Sequence, residues 1–265
     1  MRKTRFALVS MLTISAALAS AQTPVLKRIV ETGTIRIGMS GDQAPLNALS
    51  KSGELIGLEV DIARLIGDAL DLEVLFVERP FPELLAAMKA GHVDIVMSGM
   101  TINAERSLDA VFVGPYIVSG KSILAKSRLL ASARSAADIN RPDVTVAALR
   151  NSTSASVARK KLPNAKLKTV ENYEDAIQML IRDEVDALVA DVPAVKLAIL
   201  RHPDADLVTL AAPLTVEPIG IAVPSSELPL QMLLDNYVSA YEDSGLLDML
   251  RVQWLEKGDW ISQLP

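Results

Sequence analysis

The sequence predicts an α/β protein of two facing lobes, and three observations carry that expectation. Short apolar runs alternate with helical stretches whose apolar residues recur every three or four positions. The alternation restarts near Val144, so a second unit of similar design follows the first. Two segments also align with each other, "ELLAAMKAGHVDIVMSG" (Glu83 to Gly99) and "DAIQMLIRDEVDALVAD" (Asp175 to Asp191). Both run helix, tight turn, Val-Asp, apolar strand and polar end. Matching Val93-Asp94 to Val185-Asp186 sets Gly99 opposite Asp191.

The elements follow in order. Arg2, Lys3 and Arg5, an apolar run from Phe6 to Leu18 and the small residues Ala19-Ser20-Ala21 have the pattern of a cleaved secretory leader, residues 1–21. The apolar part is shorter than the roughly 20 residues of a membrane span. In the first unit, Thr34 to Met39 is expected as a strand, Glu59 to Leu70 as a helix and Glu73 to Val77 as a strand. A helix over Pro82 to Ala90 follows, with Pro82 in its first turn and Gly91 as its cap, then a strand over Val93 to Met97. In the second unit the strands are Val144 to Leu149, Leu167 to Val170 and Val185 to Ala190. The helices between them are Ser154 to Lys161 and Tyr173 to Arg182.

Composition narrows the function. The net charge is −5, and loss of the three leader cations makes it more negative. A chain with few aromatics (4%) and no basic run does not suit nucleic acid, which requires a positive face and stacking platforms. The absence of cysteine excludes disulfides, thiolate metal sites, a thiol nucleophile and a lipidated N-terminal cysteine. His92 and His202 are too far apart in sequence to form a metal motif, and no serine-histidine pairing or glycine-rich phosphate loop is present. No catalytic residue, metal or cofactor is expected. An exported chain without an anchor fits the periplasm.

The candidate site lies where strands end, because ligands of open parallel sheets gather outside the carboxyl ends of the strands. In "VDIVMSGMTINAER" an apolar run stops at Ser98-Gly99, and Arg106 follows a short polar segment. A guanidinium grips a carboxylate through two parallel hydrogen bonds and stays charged. Ser98 and Thr101 add hydroxyls, and Gly99 allows close approach to the backbone. Surface pairing of Arg106 with Glu105 or Asp109 is the alternative. Asp191 ends a strand expected to be buried, where an unpaired carboxylate is costly; a ligand ammonium, or an internal pair with Arg150 or Lys196, would satisfy it. An arginine on one wall and an aspartate on the other describe a receptor for a zwitterion. Asn151, Ser152 and Thr153 begin the helix after the first strand of the second unit, either as caps alone or as its positive end in the cleft. Phe81 is a core residue or a wall for ligand carbons.

With these stretches, "IRIGMSGDQAPLN", "GELIGLEVDIARLIGDAL", "FVGPYIVSGKS", "NSTSAS", "VDALVADVP", "EPIGIAVP" and "SGLLDMLRVQWLEKGDW" complete a set that resembles the periplasmic amino-acid-binding proteins of ABC importers (family 3 solute-binding proteins). The resemblance implies a type II periplasmic-binding-protein fold, each lobe a mainly parallel sheet flanked by helices. It implies lobe 1 over residues 22–118 and 220–265, lobe 2 over 119–219, and hinge crossings near Val118–Gly120 and Glu217–Gly220. By position, Arg106 is expected on the ligand α-carboxylate with Ser98, Thr101 and Thr153. The Gly99 carbonyl and the Asp191 carboxylate are expected on the α-ammonium, with Phe81 against the ligand. The chain departs from relatives at Gln43 and Leu46, where many carry aromatics, and at Ser40, where basic-amino-acid binders often carry an acid. Arg150 and Gln43 are therefore expected to read a polar or acidic side chain such as that of glutamine or glutamate. The expected partners are an amino acid and an ABC membrane permease, with the protein a monomer. Two alternatives remain, a cyclohexadienyl dehydratase-like enzyme on the same scaffold and a ligand-binding sensor component.

Overall fold

A computed structural model of the chain describes residues 24–130 and 136–265. The segment read as a leader, residues 1–21, lies outside the described residues. The strands, in chain order, are β1 (Thr34–Met39), β2 (Asp42–Gln43), β3 (Asn47–Leu49), β4 (Leu55–Ile56), β5 (Glu73–Glu78), β6 (Ile95–Val96), β7 (Ala110–Ser119), β8 (Lys121–Lys126), β9 (Thr145–Leu149), β10 (Lys166–Val170), β11 (Ala187–Asp191), β12 (Leu207–Thr209) and β13 (Glu217–Pro224). They form two five-stranded sheets, ordered β5-β1-β6-β13-β7 and β10-β9-β11-β8-β12, and a small three-stranded sheet β2-β3-β4.

The two larger sheets share one plan. In each, three strands of an alternating unit run parallel: β5, β1 and β6 in the first, β10, β9 and β11 in the second. In each sheet one strand, β13 or β8, runs antiparallel to both its neighbours, and the strand beyond it runs with the parallel unit again, so each sheet is mainly parallel with a single reversed strand. The reason is connectivity. β7 and β13 carry the chain out of the first sheet and back into it, and β8 is the first strand after the outward crossing.

Local chemistry accounts for the helices. Leu58–Leu70 buries Leu58, Ile62, Ala63 and Ile66, the inward stripe of a helix, and Asp71 ends it in the left-handed region at φ 52°. Thr153–Lys161 is capped by Ser152, whose hydroxyl accepts the Ala155 N–H at 3.2 Å. Tyr173–Ile181 is capped by Asn172, which accepts the Asp175 N–H at 2.8 Å. Expected and observed elements differ mainly at ends; the Pro82–Ala90 helix opens as a 3-10 turn over Phe81–Glu83 and becomes α-helical over Leu84–Lys89.

The repeated Val-Asp has a structural task in both units. Asp94 accepts the Arg36 N–H at 2.7 Å, and Asp186 accepts the Thr145 N–H at 2.8 Å. Each aspartate thus satisfies a backbone donor at the start of the neighbouring parallel strand. Asp94 also pairs with the guanidinium groups of Arg36 and Arg28.

The crossings lie side by side. Ser119, at the end of β7, pairs with Glu217 at the start of β13. Gly120 follows, and a Cβ built there would meet the Thr215 carbonyl oxygen at 2.1 Å. The Lys121 N–H donates to the Thr215 hydroxyl at 2.9 Å. Backbone meets backbone here, so no side chain can yield. Gly120→Ala should destabilise the protein by about 2 kcal/mol or more, read from its urea midpoint; an unchanged midpoint would refute the close crossing.

Candidate functional site

The site is assembled where the ends of β6 and β11 meet the crossings. An isolated bridge between Thr101 and Ile219 holds the Ser98–Arg106 segment against β13. The Asn103 side chain accepts the Arg106 N–H at 2.9 Å, and a 3-10 turn follows over Arg106–Leu108. This directs the Arg106 side chain inward, where it is only 9% exposed. Its Nη1 donates to the Thr101 carbonyl at 3.0 Å, and the guanidinium sits over the Phe81 ring, 5.6 Å from its centroid. Among the described residues no carboxylate pairs directly with it. Burial lowers its pKa, opposed by the fields of Glu217 and Asp191, and a guanidinium stays charged all the same.

Across the cleft, Asp191 ends β11. The antiparallel register of β8 and β11 sets Lys121 directly opposite it. The Lys121 ammonium donates to both Asp191 oxygens, at 2.7 and 2.8 Å, and lies 3.3 Å from Glu217 Oε2. Lys121 is 2% exposed, and Asp191 and Glu217 are each 6% exposed. The internal partner of Asp191 is therefore Lys121, not Arg150 or Lys196. The Tyr173 hydroxyl completes the aspartate's shell, donating to Oδ2 at 3.2 Å. Burial, then the Asp191 charge, push the Tyr173 phenol well above its ordinary pKa, so it remains a neutral donor.

Glu217 ties the walls together. Its Oε2 accepts the Thr101 and Thr153 hydroxyls, each at 2.8 Å, and its Oε1 accepts the Thr215 hydroxyl at 3.0 Å. Burial pushes the Glu217 carboxyl upward, but Lys121 and the three hydroxyls outweigh it and hold the pKa below the ordinary value. A cavity of 590 Å³ opens onto Arg106, Thr153 and Glu217.

A second polar network occupies the lobe 1 strand ends. The Ser98 hydroxyl accepts the Ser40 N–H at 3.1 Å and the Gln43 amide at 3.3 Å. Gly99 adopts φ +58°, and an added Cβ would sit 2.5 Å from Gln43 Oε1, so a side chain there would displace Gln43. The Gly99 N–H donates to Glu59 at 2.7 Å. Glu59 is fully buried, and burial raises its carboxyl against the bonds from Tyr116, Gly99 and Asn47.

The structure thus gathers Arg106, Thr101, Thr153, Phe81 and Asp191 into one cluster and sets Ser98, Gly99 and Gln43 on the adjoining strand ends. Ser152 lines the same cavity as Arg106 while serving as a helix cap, its hydroxyl also donating to the Leu149 carbonyl at 2.5 Å. One expected residue stands apart. Arg150 is exposed and paired with Glu171 at 2.6 Å, so its guanidinium is not in the cluster expected to read a ligand side chain. Sequence reasoning missed Lys121, Glu217 and Tyr173. The available signal was a lysine opening "KSILAK", a strand that is buried from Lys121 to Ala125. Among the described residues no group of three His, Cys, Asp or Glu is placed to hold a metal ion.

Comparison with known proteins agrees with this architecture. Residues 35–257 match the family model described as bacterial extracellular solute-binding proteins, family 3. Over 250 residues the chain is 27% identical to the cyclohexadienyl dehydratase of Pseudomonas aeruginosa, covering 94% of this chain and 93% of the relative. Its structure is similar to that of an ancestral amino acid-binding protein described as a precursor of cyclohexadienyl dehydratase, with a TM-score of 0.81 and 32% identity over 87% of this chain and 99% of the other. It is also similar to a putative ABC-transporter binding component from Wolinella succinogenes in complex with lysine, with a TM-score of 0.83 and 29% identity over 86% and 98% of the two chains. With two sheets of one plan, two adjacent crossings and a buried arginine between the lobes, the chain belongs to the bacterial extracellular solute-binding proteins of family 3.

Proposed function

We propose that this protein captures a small solute by its carboxylate, closes its lobes around it in the periplasm and delivers it to an ABC import permease. The observation that carries this reading is Arg106, a buried guanidinium that faces a cavity without a carboxylate partner among the described residues. A structural arginine so deeply placed would be expected to have an internal anion. Closure follows from the same geometry. A ligand carboxylate on Arg106 would touch the Thr101 wall and the Thr153 wall together, and that differential contact would favour the closed population. The amino acids named for several relatives are the first ligands to screen. Without Arg150 in the cleft, the preference for an acidic side chain loses its cation.

The test is a thermal-shift screen of the refolded, ligand-free mature protein against amino acids and organic acids. A ligand at 100 times its Kd adds about 2.7 kcal/mol, or a shift of about 5–10 °C at this size. A shift with a carboxylate-bearing solute is the expected result. No shift with any of them would refute the reading.

A second reading is catalytic, favoured by the similarity to a dehydratase along nearly the whole chain. Such elimination requires a protonated acid. Glu217 has its pKa lowered, Asp191 is bound to Lys121, and Glu59, though raised by burial, is enclosed by Tyr116, Gly99 and Asn47; the remaining candidate is Asp42. Burial raises the Asp42 carboxyl, and its Oδ1 is buried with no hydrogen-bond partner. It lines a cavity of 40 Å³ with Tyr173 and Ala194. On this reading the protein converts prephenate to phenylpyruvate, carbon dioxide and water, the acid's proton leaving with the hydroxyl as water, and Asp42→Asn does not; an inactive parent protein removes it.

A further inference from the structure

Arg106, Lys121, Asp191 and Glu217, the buried charged groups where the crossings meet the strand ends, are not equally available to a ligand. Asp191 Oδ1 accepts from Lys121, and Oδ2 from Lys121 and Tyr173. Glu217 Oε2 accepts from Thr101 and Thr153 with Lys121 close by, and Oε1 accepts from Thr215. Every oxygen of the two carboxylates already has a donor. The Lys121 ammonium donates to both Asp191 oxygens and stands 3.3 Å from Glu217 Oε2, so its charge is balanced within the cleft. Arg106 stands in contrast. A guanidinium has five N–H donors, and among the described residues this one has a single hydrogen bond, to a neutral carbonyl.

Glu105, Arg159 and Lys160 also line the cavity beside Arg106 and Glu217 but are exposed at its rim. At its buried end a solute therefore meets one under-used positive group and, among the described residues, no carboxylate oxygen that lacks a donor. A carboxylate answers that directly. An α-ammonium does not, because it would compete with Lys121 for the same two carboxylates and bring like charge beside it. Like charge forced into a shared buried site is a strong source of discrimination.

We propose that the cleft selects a small organic-acid anion without an α-ammonium, Lys121 supplying from the protein the positive group that an amino acid would bring with it. This rests on the reading that the cleft holds a solute carboxylate through Arg106, and it specifies the class of that solute. Lys121 is thereby a specificity-determining residue. It excludes zwitterions by occupying their ammonium site.

The test compares solutes of one carbon skeleton that differ only at the α-position. Alanine, pyruvate and lactate form one set; glutamate, 2-oxoglutarate and 2-hydroxyglutarate a second; phenylalanine, phenylpyruvate and phenyllactate a third. Calorimetric titration of the refolded, ligand-free mature protein should show the oxo or hydroxy acid binding at least tenfold more tightly than its amino acid in whichever set fits the cavity. An amino acid binding as tightly as its matched acids would overturn the inference while leaving the carboxylate reading intact. Binding of no member of any set would remove both. Lys121→Met should move the preference at least tenfold toward the amino acid by vacating the ammonium site. Where that variant folds poorly, Lys121→Met with Glu217→Gln removes one of the two buried charges left without a cation and keeps Asp191 for an ammonium. An unchanged preference in a folded variant would show that Lys121 does not set it.

Discussion

Replacing Arg106 with methionine should raise the Kd of the bound carboxylate solute at least about 100-fold and leave the unliganded protein as stable as before, or more so. The two halves of this result have one cause. A desolvated carboxylate–guanidinium pair loses about 2–5 kcal/mol or more when one partner is removed, which is tens- to thousands-fold in affinity. Without the solute, the same guanidinium is a buried cation whose partners among the described residues are the Thr101 carbonyl and the Phe81 ring. Burial of that kind opposes folding, and a methionine of similar length would pack on Phe81 without it. An arginine with a structural task would behave in the opposite way, lowering the melting temperature and barely changing affinity. Retained affinity within threefold, measured by calorimetry, would take Arg106 out of the site.

Lys121→Met should have the largest effect on stability of any single change in the cleft, about 3–5 kcal/mol, because it leaves Asp191 and Glu217 buried together without their cation. The effect depends on pH. In the parent protein the folded-state pKa of Glu217 lies below its ordinary value, so its ionised form contributes stability at pH values above the unfolded pKa. That contribution is lost as the pH falls through the lowered folded pKa. In the variant, burial without Lys121 acts in the reverse sense and favours the protonated acid. The difference between the two proteins should therefore be full at neutral pH and shrink as the pH falls through the carboxylate range. Chemical denaturation at neutral and acidic pH measures it, and a difference independent of pH would show that the loss comes from packing rather than charge.

Much of the fold was legible because it is written in local periodicity. The helix over Leu58–Leu70 and the strands Thr34–Met39 and Glu73–Glu78 follow from apolar spacing alone, and the aligned Val-Asp segments exposed the duplicated design. The Val-Asp alignment even had a concrete cause, since Asp94 and Asp186 do the same work at the start of a neighbouring strand. Arg106 and Asp191 stood out because each places a fixed charge at the end of an apolar run. What the sequence could not express was the antiparallel insertion of β8 beside β11. Parallel units predict parallel neighbours, and only the long-range register sets Lys121 against Asp191, seventy positions apart. Glu217 was hidden for a related reason. It reads as part of a crossing, yet that crossing brings it beneath Thr101 and Thr153. Arg150 was misjudged because position in the chain does not reveal direction, and Glu171 draws it to the surface.

The most direct test of the account is a crystal structure of the mature protein with the tightest-binding solute from the matched sets. The account predicts the solute's carboxylate on the Arg106 guanidinium, between Thr101 and Thr153, with the Lys121–Asp191 pair still closed beside it. A solute bound away from Arg106, or one whose ammonium has displaced Lys121 from Asp191, would contradict it.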